Sequence, residues 1–172
     1  MHQIDEKLVY SKIGMALISA QRVEFITKQL VLHLVEFDKN VYGLTSEDFL
    51  DASKRKSNPK MTLGNIFRLL ELNPKLVIED ELDDYLKKRN MLVHGFLENY
   101  LNKKSVECAK RTIEFCNDFG RQSVRIESFF KGFIFLLMLR HVKDRTNVDI
   151  SVRDWNKDFD YFMTSLQEKR LK

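Results

Sequence analysis

Residues 79–101 read EDELDDYLKKRNMLVHGFLENYL, and this stretch carries the clearest pattern in the chain. Five of its first six residues are acidic, and negative charge is favoured in the first turn of a helix. Apolar residues then recur every three or four positions from Leu82 to Tyr100, which is the period of one helical face. The pattern predicts an amphipathic helix over residues 79–101, ended by a polar run at residues 102–104.

The same helical period extends to both sides of this stretch. Only two prolines and six glycines interrupt the 172 residues, and no segment predicts a convincing strand. We therefore expect an all-α fold, an up-down helical bundle with an additional C-terminal helix, built as a single domain over residues 1–172. Besides residues 79–101, helices are predicted at residues 4–37, 48–53, 61–72, 105–147 and 151–171, with a basic loop at 54–60.

The composition excludes several classes of protein. Hydrophobic residues make up 44% and charged residues 31% of the chain, which is ordinary for a folded domain and unlike a disordered segment. The most apolar run, residues 129–139, is short and contains Lys131, so it predicts a buried helix instead of a membrane span. Because no basic leader precedes an apolar stretch at the N-terminus, we expect a cytoplasmic protein that does not contact membranes.

The two cysteines fit a reducing compartment. Cys108 and Cys116 lie on one predicted helix, roughly 12 Å apart along its axis, which is too far for a disulfide. The sequence has no cluster of His, Cys or acidic residues at metal-ligand spacing, so we expect neither a metal nor a cofactor. A net charge of +4 permits a nucleic-acid partner without requiring one.

A helical wheel places one charged residue on the apolar face of the predicted 79–101 helix. At about 100° per residue, Arg89 lies within the apolar stripe, and Asn90 and His94 lie side by side at its edge. A buried guanidinium is costly without a partner, so Arg89 needs an anion, a semi-exposed cleft, or an acid such as Glu24 or Glu71. The stripe itself is predicted to contain Leu82, Tyr85, Leu86, Val93, Phe96, Leu97 and Tyr100.

Arg89-Asn90-Met91-Leu92-Val93-His94 resembles the Arg-polar-x3-His signature of HEPN domains, small helical bundles that commonly dimerise. Residues 62–66, Thr-Leu-Gly-Asn-Ile, are similar to a segment seen in some of these domains. The resemblance in helical architecture covers residues 5–145, but the resemblance in functional residues is limited to the six residues of the motif. It implies a homodimer in which two 79–101 helices meet across a two-fold axis and bring two arginines and two histidines into one cleft.

In catalytic members of this family the motif implies metal-independent cleavage of RNA, as in toxins and antiviral-defence proteins. Carried onto this chain, His94 would act as general base or acid, because histidine changes charge near neutral pH. Arg89 would hold the scissile phosphate, and Asn90 would orient His94 or bind a phosphate oxygen. The ribose 2′-hydroxyl would be the nucleophile. Lys87 and Lys88 would extend the cleft along the RNA backbone.

Two alternatives remain open. One is a non-catalytic HEPN-like module for dimerisation or RNA binding, and the other is an unrelated helical scaffold in which the motif is incidental. The resemblance to toxins also implies a cognate antitoxin. HEPN toxins paired with a nucleotidyltransferase usually carry a tyrosine two residues after the histidine, whereas this chain has Phe96. Phe96 lacks the hydroxyl that such control would modify, and Tyr100 is only a weak substitute.

Overall fold

The computed structural model describes residues 5–36, 78–102, 105–141 and 154–170. These residues form helices and no strand, so the predicted all-α fold is confirmed for this part of the chain. The predicted elements at residues 48–53, 54–60 and 61–72, and the segment 62–66, lie outside it. The α-helices are α1 (Glu6–Glu36), α2 (Glu79–Asn90), α3 (Val106–His141) and α4 (Asn156–Arg170).

The bounds of these helices follow from local chemistry. The carboxylate of Asp5 accepts the N–H of Leu8, and the hydroxyl of Ser105 accepts the N–H of Cys108, each at 3.1 Å. Both bonds cap amide groups that the first turn of a helix leaves without a partner. Of the predicted C-terminal helix, the structure describes a 3-10 turn at Asp154 and Trp155 followed by α4, and residues 151–153 lie outside the described ranges.

The chain divides into two compact units. The first, which we call the motif unit, comprises Met1–Val23 and Asp80–Ile126. The second comprises Glu24–Glu79 and Glu127–Lys172. The single domain expected over residues 1–172 stays a prediction.

Aromatic rings join the helices of the motif unit. Tyr85 and Phe119 are fully buried and stack with their ring centroids 5.0 Å apart. Phe96, Tyr100 and Phe115 form a second group, with centroid separations between 4.8 and 5.6 Å. Such pairs stabilise a fold by about 0.5–1.5 kcal/mol each beyond the burial of apolar area. The α1 helix contributes the small buried residues Val9, Ala16, Ala20 and Val23.

In the second unit, α3 and α4 pack closely. The ring of Phe162 contacts Phe129 and Phe133, with centroid distances of 4.9 and 5.5 Å. A side chain at Gly132 would collide with the backbone of Asp158 and with Phe162, so the close approach requires glycine here. The prediction of a buried helix over residues 129–139 is confirmed. None of the described helices is long and apolar enough to cross a membrane.

Candidate active site

The Arg89–His94 motif lies where the helix changes its geometry. The α2 helix ends at Asn90 and continues into two π-helical segments, Met91–Gly95 and Leu97–Leu101. We call residues 79–101 the motif helix. π-helical turns are rare and occur frequently at functional sites. The apolar period predicted a regular helix over these residues, so the change to π geometry at His94 is a feature that the sequence pattern missed.

A buried polar network fastens the first half of the motif helix to α3. Gln122 is 3% exposed, and its amide donates hydrogen bonds to the Glu81 carbonyl at 3.1 Å and to Asp84 at 3.0 Å. Arg125 Nε donates to the carboxylate of Glu81 at 2.9 Å. Because Gln122 is buried, losing these acceptors would leave its amide unsatisfied, at a cost of about 1–3 kcal/mol.

Lys88 joins the same network. Its ammonium nitrogen lies 2.7 Å from Asp84, 3.0 Å from Asp118 and 3.3 Å from the side-chain oxygen of Gln122. An ammonium group has three N–H donors, so these contacts can occupy all of them. The contacts favour a structural role for Lys88, and its predicted role in binding RNA stays a prediction.

The far end of the motif helix is held by a buried threonine on α3. The Thr112 hydroxyl lies 3.2 Å from the Tyr100 carbonyl and 2.8 Å from the Cys108 carbonyl. Within the π-helical part, the Asn99 amide donates to the Gly95 carbonyl at 2.7 Å. The motif therefore lies between two points of attachment to α3, which limits how far its backbone can move.

Of the three predicted catalytic residues, Arg89 and Asn90 end α2, and His94 lies one turn further on, in the first π-helical segment. Arg89 is half-buried, in keeping with its predicted place in the stripe, whereas Asn90 and His94 are exposed. Arg89 Nη1 donates to Asn90 Oδ1 at 3.2 Å. Arg89 makes no ion pair with any residue in the described ranges, and Glu24 pairs instead with Lys28 at 2.8 Å. Glu71, the other predicted partner, lies outside those ranges.

Two residues of the predicted stripe are on the opposite side. Val93 is 45% exposed and Leu97 is 73% exposed, so their predicted burial is wrong. The buried side of this half of the helix carries Phe96, as predicted, together with Leu92, which the wheel does not place in the stripe. The rings on α3 decide this, because Phe115 packs against Phe96 with a centroid distance of 5.6 Å. Val93 and Leu97 consequently form an exposed apolar strip in the same part of the helix as His94.

The contacts between Lys88 and its two carboxylate partners shift the pKa values of all three groups. The hydrogen bond from Lys88 holds the pKa of Asp84 and that of Asp118 below the usual carboxyl value. Burial lowers the pKa of Lys88, but its hydrogen bonds to Asp84 and Asp118 outweigh burial, so the pKa is raised overall. The network therefore stabilises the fold between the ordinary pKa of a carboxyl group, 3.8, and that of lysine, 10.5. The contribution of Asp84 and Asp118 is lost as the pH falls below about 4.

We expect Lys88→Met to lower the free energy of unfolding by about 1 kcal/mol at neutral pH, because Asp84 and Asp118 are half exposed and partly screened. The difference from wild type should shrink below about pH 4, where the carboxyl groups become protonated in both proteins. Urea unfolding at several pH values measures it. Lys87→Met is the control, since Lys87 is exposed and should change stability by less than about 0.5 kcal/mol. Equal losses for both variants would contradict a structural role for Lys88.

One ion pair of the Lys88 network can be predicted from the sequence. Asp84 and Lys88 are four residues apart, which is the spacing of an ion pair on one helix. Asp118 and Gln122 lie 30 and 34 residues from Lys88, and no local pattern connects them to it. Within the described ranges, no three or more His, Cys, Asp and Glu side chains are grouped as metal ligands.

No family model matches the chain, and no curated protein and no solved structure is significantly similar to it.

Proposed function

We propose that the protein is a metal-independent endoribonuclease of the toxin or antiviral-defence type, with a HEPN-type composite site in a cytoplasmic homodimer. The observation that carries the proposal is the state of Arg89. It is half-buried, is oriented by Asn90 at 3.2 Å, and has no acidic partner among the described residues. A guanidinium placed in this way is available for a phosphate, which it can grip through two parallel hydrogen bonds.

The proposed reaction needs only groups that the motif supplies. His94 of one protomer removes the proton from a ribose 2′-hydroxyl, and the 2′-oxygen attacks the adjacent phosphorus. The new bond from O2′ to phosphorus forms as the bond from phosphorus to O5′ breaks. The second His94 in the dimer gives a proton to the leaving 5′-oxygen. The products are a 2′,3′-cyclic phosphate and a free 5′-hydroxyl, while Arg89 stabilises the added charge on the phosphoryl oxygens.

Purified protein should cleave labelled single-stranded RNA in the presence of EDTA. The end groups test the mechanism, because internal attack leaves a cyclic phosphate and a 5′-hydroxyl. Cleavage that requires an added divalent ion, or that leaves a 5′-phosphate, would contradict the proposal. Of the predicted RNA contacts, the exposed Lys87 is the better candidate, since it makes no ion pair within the described ranges.

A homodimer through the motif helix explains its exposed apolar residues. Val93 and Leu97 are 45% and 73% exposed although they lie on a helix whose Leu92 and Phe96 are buried. Burying such residues against a second copy would remove apolar area from water, at about 25 cal/mol per Å². The same packing would bring the arginines and histidines of two chains together. A cognate antitoxin that covers this surface is a further part of the proposal.

We expect Leu97→Asp to convert the dimer to a monomer at micromolar concentration, because a carboxylate would be buried without a partner at the centre of the interface. Light scattering after size-exclusion chromatography measures the mass. Ile18→Asp is the matched control, since Ile18 is 59% exposed on α1 and should leave the dimer intact. A monomeric wild-type protein, or dissociation by Ile18→Asp alone, would contradict this interface.

The exposed apolar strip equally supports a second candidate, a HEPN-like module that dimerises or binds RNA without cleaving it. In that case the polar motif pairs across the dimer and has no chemical role. The two candidates make different predictions for cleavage and the same prediction for Leu97→Asp. A dimer that binds RNA but never cleaves it would favour the second.

A further inference from the structure

A cleft of about 330 Å³ opens between the π-helical end of the motif helix and α3, within the motif unit. Neither Arg89 nor His94 lines it, so it is distinct from the candidate active site. Two aromatic rings, one cation and two carboxylates line the cleft: Tyr100, Phe115, Arg111, Glu114 and Asp118. The cleft is shallow and open to solvent, and it has room for one aromatic ring system.

The aromatic part of the cleft is built for stacking. Tyr100 and Phe115 are half-buried with their centroids 4.8 Å apart, and Tyr100 also stacks on Phe96 at 4.9 Å. The guanidinium carbon of Arg111 lies 5.7 Å from the Tyr100 centroid. Arg111 is exposed, so its side chain can move outward to admit a planar group. Unpaired RNA bases are commonly held between aromatic rings and guanidinium planes in this way.

The two carboxylates differ in their availability. Asp118 already accepts from Lys88 at 3.0 Å and from Arg121 at 3.5 Å. Glu114 makes no hydrogen bond or ion pair with any residue that the structure describes, and it is exposed at the cleft. A carboxylate offers two acceptor oxygens and no donor, so it favours a ligand with two adjacent N–H groups.

We propose that this cleft binds one unpaired guanine of an RNA ligand, stacked on Tyr100 and hydrogen-bonded to Glu114. Guanine alone among the four RNA bases presents two adjacent N–H donors, at N1 and the 2-amino group, on its Watson–Crick edge. Adenine and cytosine present one amino group beside an acceptor, and that acceptor would face the carboxylate unfavourably. Arg111 stacks on the outer face of the bound base. This inference rests on the proposed function, which supplies RNA as the ligand. It adds that the bound RNA carries an unpaired guanine at this cleft.

The test uses short fluorescent oligouridines with one central guanosine, inosine or adenosine. Their 2′-hydroxyls are methylated, so that internal attack cannot cleave them. Anisotropy with the wild-type protein at fixed salt should give roughly tenfold tighter binding for guanosine than for adenosine, as expected of one bidentate base contact. Inosine should fall between them, because it keeps N1–H but lacks the 2-amino group.

Variants of the protein distinguish recognition of the guanine base from general affinity for RNA. Glu114→Gln should lower guanosine binding to the adenosine level, and Tyr100→Leu should weaken binding of all three RNAs. Since Tyr100 supports the aromatic group, the exposed Glu114 provides the decisive variant. Glu107→Gln is its control, because Glu107 is exposed on the same helix but does not line the cleft, and it should keep the preference.

Equal binding of guanosine and adenosine RNAs, or a guanosine preference that survives Glu114→Gln, would overturn the guanine site. Glu114-dependent binding of an arginine-containing peptide in place of RNA would also overturn it and assign the cleft to a protein partner. Cleavage of ordinary RNA is measured separately. Cleavage without a guanosine preference removes only this inference, whereas a guanosine preference without cleavage keeps it and removes the nuclease proposal.

Discussion

Replacing His94 by alanine is expected to lower the rate of RNA cleavage by about 10² to 10⁴, which is the usual contribution of general acid–base catalysis. His94 is exposed, so its truncation should change the free energy of unfolding by no more than about 1 kcal/mol. Single-turnover cleavage of labelled RNA and thermal unfolding measure the two effects. A large loss of rate with an unchanged melting temperature assigns His94 to the chemistry.

Two further variants make the His94 experiment specific. His94→Gln keeps a side chain that can hydrogen-bond but cannot exchange a proton near neutral pH, so it should be as inactive as His94→Ala. Glu98→Gln, an exposed change on the next turn of the motif helix, should cleave RNA at the wild-type rate. Wild-type cleavage by His94→Ala would remove the catalytic assignment, and rescue by His94→Gln would reduce His94 to a binding residue.

Arg89→Lys is expected to lose about 10²- to 10³-fold in cleavage rate, as does the loss of one charge-stabilising donor in other active sites. Lysine keeps the positive charge but lacks the planar fork that grips two phosphate oxygens. Binding of uncleaved RNA should fall much less, because affinity depends on the number of cations near the backbone. Rate, affinity at fixed salt and melting temperature for Arg89→Lys and Arg89→Ala provide the comparison.

The Arg89 experiment separates catalysis from scaffolding. If Arg89 were only a structural ion-pair partner, lysine would restore both stability and cleavage. Arg121→Lys serves as the matched control, since Arg121 is exposed and, among the described residues, pairs only with Asp118, at 3.5 Å. It should not change the cleavage rate. Near wild-type cleavage by Arg89→Lys would show that Arg89 has a structural role and not a catalytic one.

The positions of the helices could be predicted because their causes are local. The apolar period of the first helix extends over residues 4–37, and the structure has α1 at Glu6–Glu36. Acidic residues at the start of residues 79–101 and the cap at Ser105 likewise act within one turn of their own helix. The placement of Arg89, Asn90 and His94 within one helix follows from the same local signals.

Which side of the motif helix is buried was decided by other parts of the chain. A wheel places Val93, Phe96 and Leu97 on the packing face, but in the structure Val93 and Leu97 are exposed, and Leu92 is buried beside Phe96 against the aromatic rings of α3. The wheel also assumes one constant turn angle, and the π-helical segments from Met91 onward do not keep it. Neither effect can be predicted without knowing which helix packs against the motif helix.

What the sequence by itself determined is the all-α character of the described chain and the local placement of the Arg89–His94 motif, because hydrophobic period, caps and residue spacing act over a few residues. What only the tertiary structure decided are the exposed apolar strip at Val93 and Leu97, the Lys88 network and the aromatic cleft at Tyr100. Each of these depends on contacts between the motif helix and residues of α3 that are distant along the chain. Such contacts form only once the helices pack, so no pattern within one helix encodes them.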